Sequence, residues 1–213
     1  MSKKFKLGFM VGRFQMLHKG HESLINEGLE LCERFVILLG NSEESRTKNN
    51  PFTFEERKEM IKLIYGNKVE VYPIISIGIG YVPAWGNYVM NTIKFYCGEY
   101  PDFVLRGSDD GRNNWIDNDK YPHLTEHIIS RKIVPFSATQ VRQCLLGWYE
   151  KKLYLDAPKT MERFLADTQL KSDYGLTREQ LIEEDYSCLM EMISSKYTRK
   201  RLEKYAEILR GIR

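Results

Sequence analysis

The sequence predicts an α/β chain, with a five-stranded parallel sheet, helices on both faces and a helical C-terminal extension. Three observations point to it. Short apolar runs that stop at glycine or small polar residues recur at positions 7–11, 35–39, 69–75, 103–105 and 128–134. Segments between them repeat their apolar residues at helical spacing, an alternation that suits parallel strands joined by crossover helices. After Trp148 strand-like runs cease and the pattern is helical.

The first run ends at Gly12. Beyond the following loop, Ile25, Leu29 and Cys32 recur at helical spacing with Leu24, Gly28 and Leu31 beside them, while Glu22, Asn26, Glu27 and Glu30 fall on the other face. A strand, a glycine turn and a helix aim free backbone N–H groups above the sheet, and phosphate is their natural guest. Gly12 lets backbone approach an anion, Arg13 offers a planar fork, His18 and His21 each donate from a ring nitrogen, and Gly20 removes a crowding Cβ. Spacing alone leaves two other readings of the histidines: a surface accident, or a zinc site completed by His123 or His127.

Gly12-Arg13-Phe14-Gln15 followed by His18-Lys19-Gly20-His21 resembles the N-terminal signature of the nucleotidyltransferase superfamily marked by His-x-Gly-His, in particular the archaeal-type nicotinamide mononucleotide adenylyltransferases. Met16 stands where that family often has proline. The resemblance implies a Rossmann-like nucleotidyltransferase fold. It also implies that His18 and His21 are catalytic, and that Gly12, Arg13, Phe14 and Gly20 bind ATP.

The second run ends at Gly40-Asn41-Ser42, above the same sheet edge as Gly12. The polar loop after it carries Arg46 and Lys48, and Thr53 is a good N-cap for a helix with Glu56, Arg57, Met60, Ile61 and Ile64. Asn50-Pro51-Phe52-Thr53, leading to Glu56-Arg57, matches a second block of the archaeal-type enzymes. Where the family usually places a phosphate-reaching arginine this chain has Asn49. Arg46 and Lys48 are then substitutes for it, or basic residues on a solvated loop.

The third run leads into a loop with Gly78 and Gly80, and then a helix on which Trp85, Val89, Ile93 and Tyr96 share a face. Trp85 has two readings, core packing or, as the resemblance implies, stacking on a nicotinamide ring. Asn87 and Asn41 join it as acceptor-binding candidates. The family's loop usually offers an aspartate and an asparagine, which Gly78-Ile79-Gly80-Tyr81-Val82-Pro83-Ala84 lacks.

The fourth run is followed by Arg106-Gly107-Ser108-Asp109, resembling the superfamily's turn to adenosine, with Gly107 and Asp109 as ATP-binding candidates. The fifth leads to Ser137-Ala138-Thr139-Gln140-Val141-Arg142, where Ser137 is a natural N-cap and Val141, Leu145 and Trp148 mark a buried face. This resembles the second signature, Ser-x-Thr-x-x-Arg. It implies that Ser137, Thr139 and Arg142 bind the β- and γ-phosphates, with Arg142 also catalytic.

Helices are expected at 160–167, 178–194 and 195–210. In Arg199-Lys200-Arg201, interleaved with Glu203 and Glu207, the pattern is that of a solvated helix face. We expect residues 1–149 to form the nucleotidyltransferase domain and 150–213 a helical extension packed on the core or on a neighbouring subunit.

A net charge of +3 on 213 residues gives no electrostatic case for nucleic acid. The absence of a long apolar segment argues against a membrane, and four unpaired-spacing cysteines suit a reducing, cytoplasmic setting. The resemblance implies AMP transfer from ATP, carried with Mg²⁺, to nicotinamide mononucleotide by direct in-line attack, giving NAD and pyrophosphate, in a homo-oligomer. Alternatives are another phosphorylated acceptor (nicotinic acid mononucleotide, phosphopantetheine or FMN), a non-catalytic nucleotide sensor, or a nucleic-acid-binding module.

Overall fold

The structure, a computed structural model, describes residues 3–107, 115–129, 137–156, 166 and 176–212. Asp109, the greater part of the fifth apolar run and nearly all of the helix expected at 160–167 lie outside the described residues. The chain divides into two compact units, Met1–Pro135 and Phe136–Arg213.

The first unit runs β1 (Phe5–Gly12), α1 (Lys19–Leu31), β2 (Cys32–Leu39), α2 (Phe54–Tyr65), a 3-10 turn (Gly66–Lys68), β3 (Glu70–Pro73), α3 (Pro83–Cys97), β4 (Phe103–Gly107) and β5 (Thr125–Ile129). The five strands form one sheet in the order β3-β2-β1-β4-β5, with every neighbouring pair parallel. The Rossmann-like fold class read from the sequence is the one observed. Because chain order steps outward from β1 to β3 and then crosses to β4 on the other side of β1, strand order reverses between β1 and β4, and the switch-point crevice opens beside the end of β1.

On one face of the sheet, Leu7, Phe9, Val36, Leu38 and Val104 pack with Trp85, Val89, Met90 and Ile93 of α3. On the other, glycine allows close approach: a Cβ on Gly28 of α1 would stand 2.3 Å from the Phe35 ring, so that helix rests directly on β2. The Asp102 carboxylate accepts from the backbone N–H groups of Lys6 and Leu7, each at 3.0 Å. The Asp102 N–H donates to Leu7 O at 3.1 Å and its carbonyl accepts from Thr125 at 2.9 Å, so one residue joins the starts of β1, β4 and β5.

Two boundaries differ from the sequence reading. Cys32 does not lie on the buried stripe of α1 but opens β2. Its backbone is extended (φ −112°, ψ 145°) while its N–H still bonds Gly28 O, so helix passes into strand without a loop and helical spacing runs one residue too far. The fifth strand is described over Thr125–Ile129, so it begins three residues before the expected 128, and residues 130–134 of the expected run lie outside the described residues. It is an exposed edge strand, so no apolar run announces it.

The second unit contains α4 (Ala138–Asp156), α5 (Arg178–Met192) and α6 (Arg199–Arg210). Val141, Leu145 and Trp148 are buried as expected. Trp148 meets Tyr186 of α5 at 5.5 Å between ring centroids, Lys151 pairs with Asp185 at 2.6 Å, and Tyr149 donates to Glu207 of α6 at 2.8 Å. The last helix starts at Arg199, later than expected, because Thr198 caps it by accepting from Arg201 N. Arg199 is held by Glu183 at 2.6 Å and lies over Tyr186. No described helix is long and apolar enough to cross a membrane. All four cysteines are free, and burial pushes the Cys32 thiol up to about 12.

Candidate active site at the exits of the first two strands

The helix-start motif forms a stack of three rings. His18 is the N-cap of α1, 6% exposed, and its Nδ1 accepts from Gly20 N at 3.1 Å. Accepting at Nδ1 puts the ring proton of the neutral imidazole on Nε2. His21 lies against His18 with ring centroids 3.9 Å apart, and Phe14 lies against His21 at 4.4 Å. Phe14 turns inward because its backbone is left-handed (φ 50°), and its ring folds back over Gly12, where a Cβ would meet it at 2.8 Å. Gly12 therefore makes room for Phe14 as well as for a ligand.

Two side chains that the sequence reading did not assign to the site hold its frame. Gln15, 3% exposed, exchanges both hydrogen bonds with Phe52: its Nε2 donates to Phe52 O at 3.2 Å, and Phe52 N donates to its Oε1 at 2.9 Å. Arg57, 0% exposed, donates to Arg13 O and Gly40 O at 2.7 Å each, to Asn41 O at 3.1 Å and to Thr53 O at 3.2 Å. Burial pushes its guanidinium down to about 10, still charged at neutral pH. The usable signal was a cation on the apolar stripe of α2, one turn before the buried Met60 and Ile61.

The loop after β2 is tied down. Arg46 (φ 58°) donates to both Glu56 oxygens at 2.7 and 2.6 Å and to Pro51 O at 2.8 Å. Its guanidinium is thus committed to a carboxylate in this structure, while Lys48 is exposed. Glu56 also completes the capping box of α2 with Thr53. Asn50 donates to Glu44, and Asn41 (φ 50°) donates from Nδ2 to Glu44 at 3.2 Å.

Of the acceptor candidates, Trp85 is 9% exposed and belongs to the core cluster, at the Pro83-initiated start of α3. Its indole N–H is buried with no hydrogen-bond partner among the described residues. Asn87 Oδ1 accepts from Tyr121 at 3.1 Å. Gly107 ends β4, buried and in register with Ile129. Ser137, Thr139 and Arg142 belong to the second unit: Ser137 caps α4 by accepting from Gln140 N at 3.3 Å, and Arg142 Nη2 donates to Thr139 Oγ1 at 3.3 Å. Among the described residues no group of three or more His, Cys, Asp or Glu could hold a metal, and His127 faces Glu27 at 3.8 Å.

Residues 9–144 match the cytidylyltransferase-like family model, and the chain belongs to that family. Within it, the chain is 49% identical over 55 residues to the nicotinamide-nucleotide adenylyltransferase of Saccharolobus solfataricus, covering 26% of this chain and 32% of that one. It is 32% identical over 106 residues to the protein of that name from Thermococcus onnurineus, covering 48% and 54%. The chain thus spans from a third to about half of the length of these curated relatives. Among solved structures, the bifunctional NMN adenylyltransferase/ADP ribose pyrophosphatase of Francisella tularensis, complexed with AMP and a Mn ion, superposes with a TM-score of 0.54 at 21% identity. That match covers 67% of this chain and 42% of the other, and is a likeness of fold.

Proposed function

We propose that this chain transfers the adenylyl group of ATP to nicotinamide mononucleotide, giving NAD and pyrophosphate. The observation that carries the reading is the stack of Phe14, His21 and His18 at the start of α1, built from the signature that names the superfamily. The names of the archaeal relatives support the choice of acceptor.

In this reading a phosphate oxygen of the acceptor attacks the α-phosphorus in line. The bond from that phosphorus to the bridging oxygen breaks, and its electron pair leaves with pyrophosphate. The nucleophile is already anionic, so no base is needed, and catalysis is positioning with neutralisation of moving charge. His18, donating from Nε2, and His21 meet the reacting phosphates. Arg13 and the turn at Gly12, Phe14 and Gly20 receive the triphosphate. Gly107, Asp109, Ser137, Thr139 and Arg142 take their ATP roles, and Trp85, Asn87 and Asn41 their acceptor roles, from the resemblance; the exposed Lys48 is the candidate for a further phosphate contact, and Arg46 becomes one only by leaving Glu56. Mg²⁺ would be carried in with the substrate polyphosphate and would offset its charge. The four free thiols support a cytoplasmic setting. The exposed Tyr81 and Phe95 support a homo-oligomer, which light scattering tests.

The experiment is pyrophosphate release from ATP and Mg²⁺ with nicotinamide mononucleotide beside nicotinic acid mononucleotide, phosphopantetheine and FMN. Turnover with the first is expected; turnover confined to another acceptor overturns the substrate, and none with any acceptor overturns the chemistry. His21→Ala is expected to lower kcat by about 10²- to 10³-fold with little change in KM for ATP.

A further inference from the structure

We propose that Arg57 is the positioning residue of this site: its buried guanidinium grips the carbonyls where β1 and β2 end, and thereby turns the N–H groups of Phe14 and Asn41 away from itself, towards a phosphate. The inference rests on the adenylyl-transfer reading for what the phosphate belongs to, and on the hydrogen bonds of Arg57 for the rest.

In a trans peptide unit the C=O and the next N–H point in opposite directions. The bonds from Arg57 to Arg13 O and to Gly40 O, 2.7 Å each, therefore fix two N–H vectors at once, those of Phe14 and Asn41. Both residues have the same left-handed φ of 50°, although neither is glycine. Two strands separated by a whole helix leave the sheet with the same unusual turn and share one cation for the carbonyl just before it. Gly40 N bonds Gly12 O at 2.9 Å, which sets the two turns side by side.

Helix stability does not account for the arginine. Arg57 lies in the opening turn of α2, four residues after the Thr53 cap, where the helix dipole disfavours a cation. It is fully buried, and among the described residues no carboxylate forms an ion pair with it. Desolvating a cation there is costly unless its donors are satisfied, and here backbone carbonyls satisfy them. Such carbonyls orient the guanidinium while Glu43 acts on its charge only from beyond ion-pair distance.

The test compares Arg57→Lys with Ile61→Val, a packing change in the same helix. Calorimetry with α,β-methylene ATP reads phosphate binding whatever the acceptor, so it can fail separately from the adenylyl-transfer reading, which wild-type turnover decides. Lysine keeps the charge but cannot hold several carbonyls in a plane. Arg57→Lys is expected to weaken analogue binding by about 10- to 100-fold, and to raise KM for ATP by a similar factor. Ile61→Val is expected to lower the melting temperature with analogue affinity within about twofold of wild type. Equal affinities for Arg57→Lys and wild type overturn the proposal. In the wild-type protein, the backbone amide resonances of Phe14 and Asn41 are expected to shift on titration with the analogue. Their failure to move overturns the proposal even if the lysine variant does not fold.

Discussion

Replacing Gln15 with leucine removes one amide of nearly the same volume and tests how the site's frame is held. Phe52 loses the acceptor 2.9 Å from its N–H and the donor 3.2 Å from its carbonyl, at a place where Gln15 is only 3% exposed and water does not substitute. Each buried polar group left unsatisfied costs about 1–3 kcal/mol. The new apolar burial returns roughly 1–2 kcal/mol, so for the two groups together the expected net loss is centred on about 2.5 kcal/mol. Gln15→Glu sharpens the test because its sign depends on pH. A neutral carboxyl reproduces the clamp, donating to Phe52 O and accepting from Phe52 N. A carboxylate would face the carbonyl in a dry site, so folding raises its pKa above the unfolded value of about 4.3. The variant should therefore approach wild type below about pH 4 and lose stability as pH rises, by up to about 1.4 kcal/mol per unit until the folded-state pKa is passed. Urea denaturation across pH and hydrogen exchange of the Phe52 amide read both effects. A leucine variant within about 0.5 kcal/mol of wild type, or a glutamate variant that gains on wild type as pH rises, would refute the clamp.

Other predictions follow from single contacts. At Gly86 an added Cβ would stand 2.0 Å from the backbone oxygen of Trp115, whereas at Gly147 nothing lies within 4 Å. Gly86→Ala should cost several kcal/mol (~3 or more) despite better helix propensity, and Gly147→Ala should add about 0.5–1 kcal/mol, both read by thermal unfolding. Burial raises the pKa of Glu56, but the hydrogen bonds from Arg46 and Thr53 outweigh it, and the net shift is downward. Its contribution is thus present above the unfolded carboxylate range and lost as pH falls through the folded value. Glu56→Gln should differ from wild type most at neutral pH, by less than about 1 kcal/mol because Arg46 is half exposed, and the gap should close in acid and in high salt.

The fold was legible because a parallel sheet buried on both faces writes itself as apolar runs, and its three inner strands, β1, β2 and β4, are of that kind. The start of β5 was missed because Thr125, Glu126 and His127 face solvent and carry no such signal. At the candidate site, residues that would touch a ligand could be named from Gly12 to His21, since glycine and histidine at a helix start have a recognisable chemistry. Gln15 and Arg57 were passed over as site residues for the opposite reason. Their partners are backbone atoms of residues far along the chain, and no side-chain pattern reports where a carbonyl will point. Arg46 shows the converse: its charge suggested a phosphate, while the pairing with Glu56 could be seen only once the loop and α2 were placed.

The position of β1 between β2 and β4 also sets the order in which the sheet can be built. A chain emerging from its N-terminus completes β1, β2 and β3 by Pro73, with the Gln15 and Arg57 grips already in reach, but the neighbour on the other side of β1 starts only at Phe103. Until then Leu7, Gly8 and Phe9 form an open edge at the middle of the future core, able to pair with a foreign strand as readily as with their own. Asp102 arrives immediately ahead of β4 and accepts from Lys6 and Leu7, so the residue that first closes this edge is a carboxylate addressed to two particular amides. Closing the sheet on this side is thus a long-range event, in which residues 6 and 7 wait for a partner some 95 positions further along the chain.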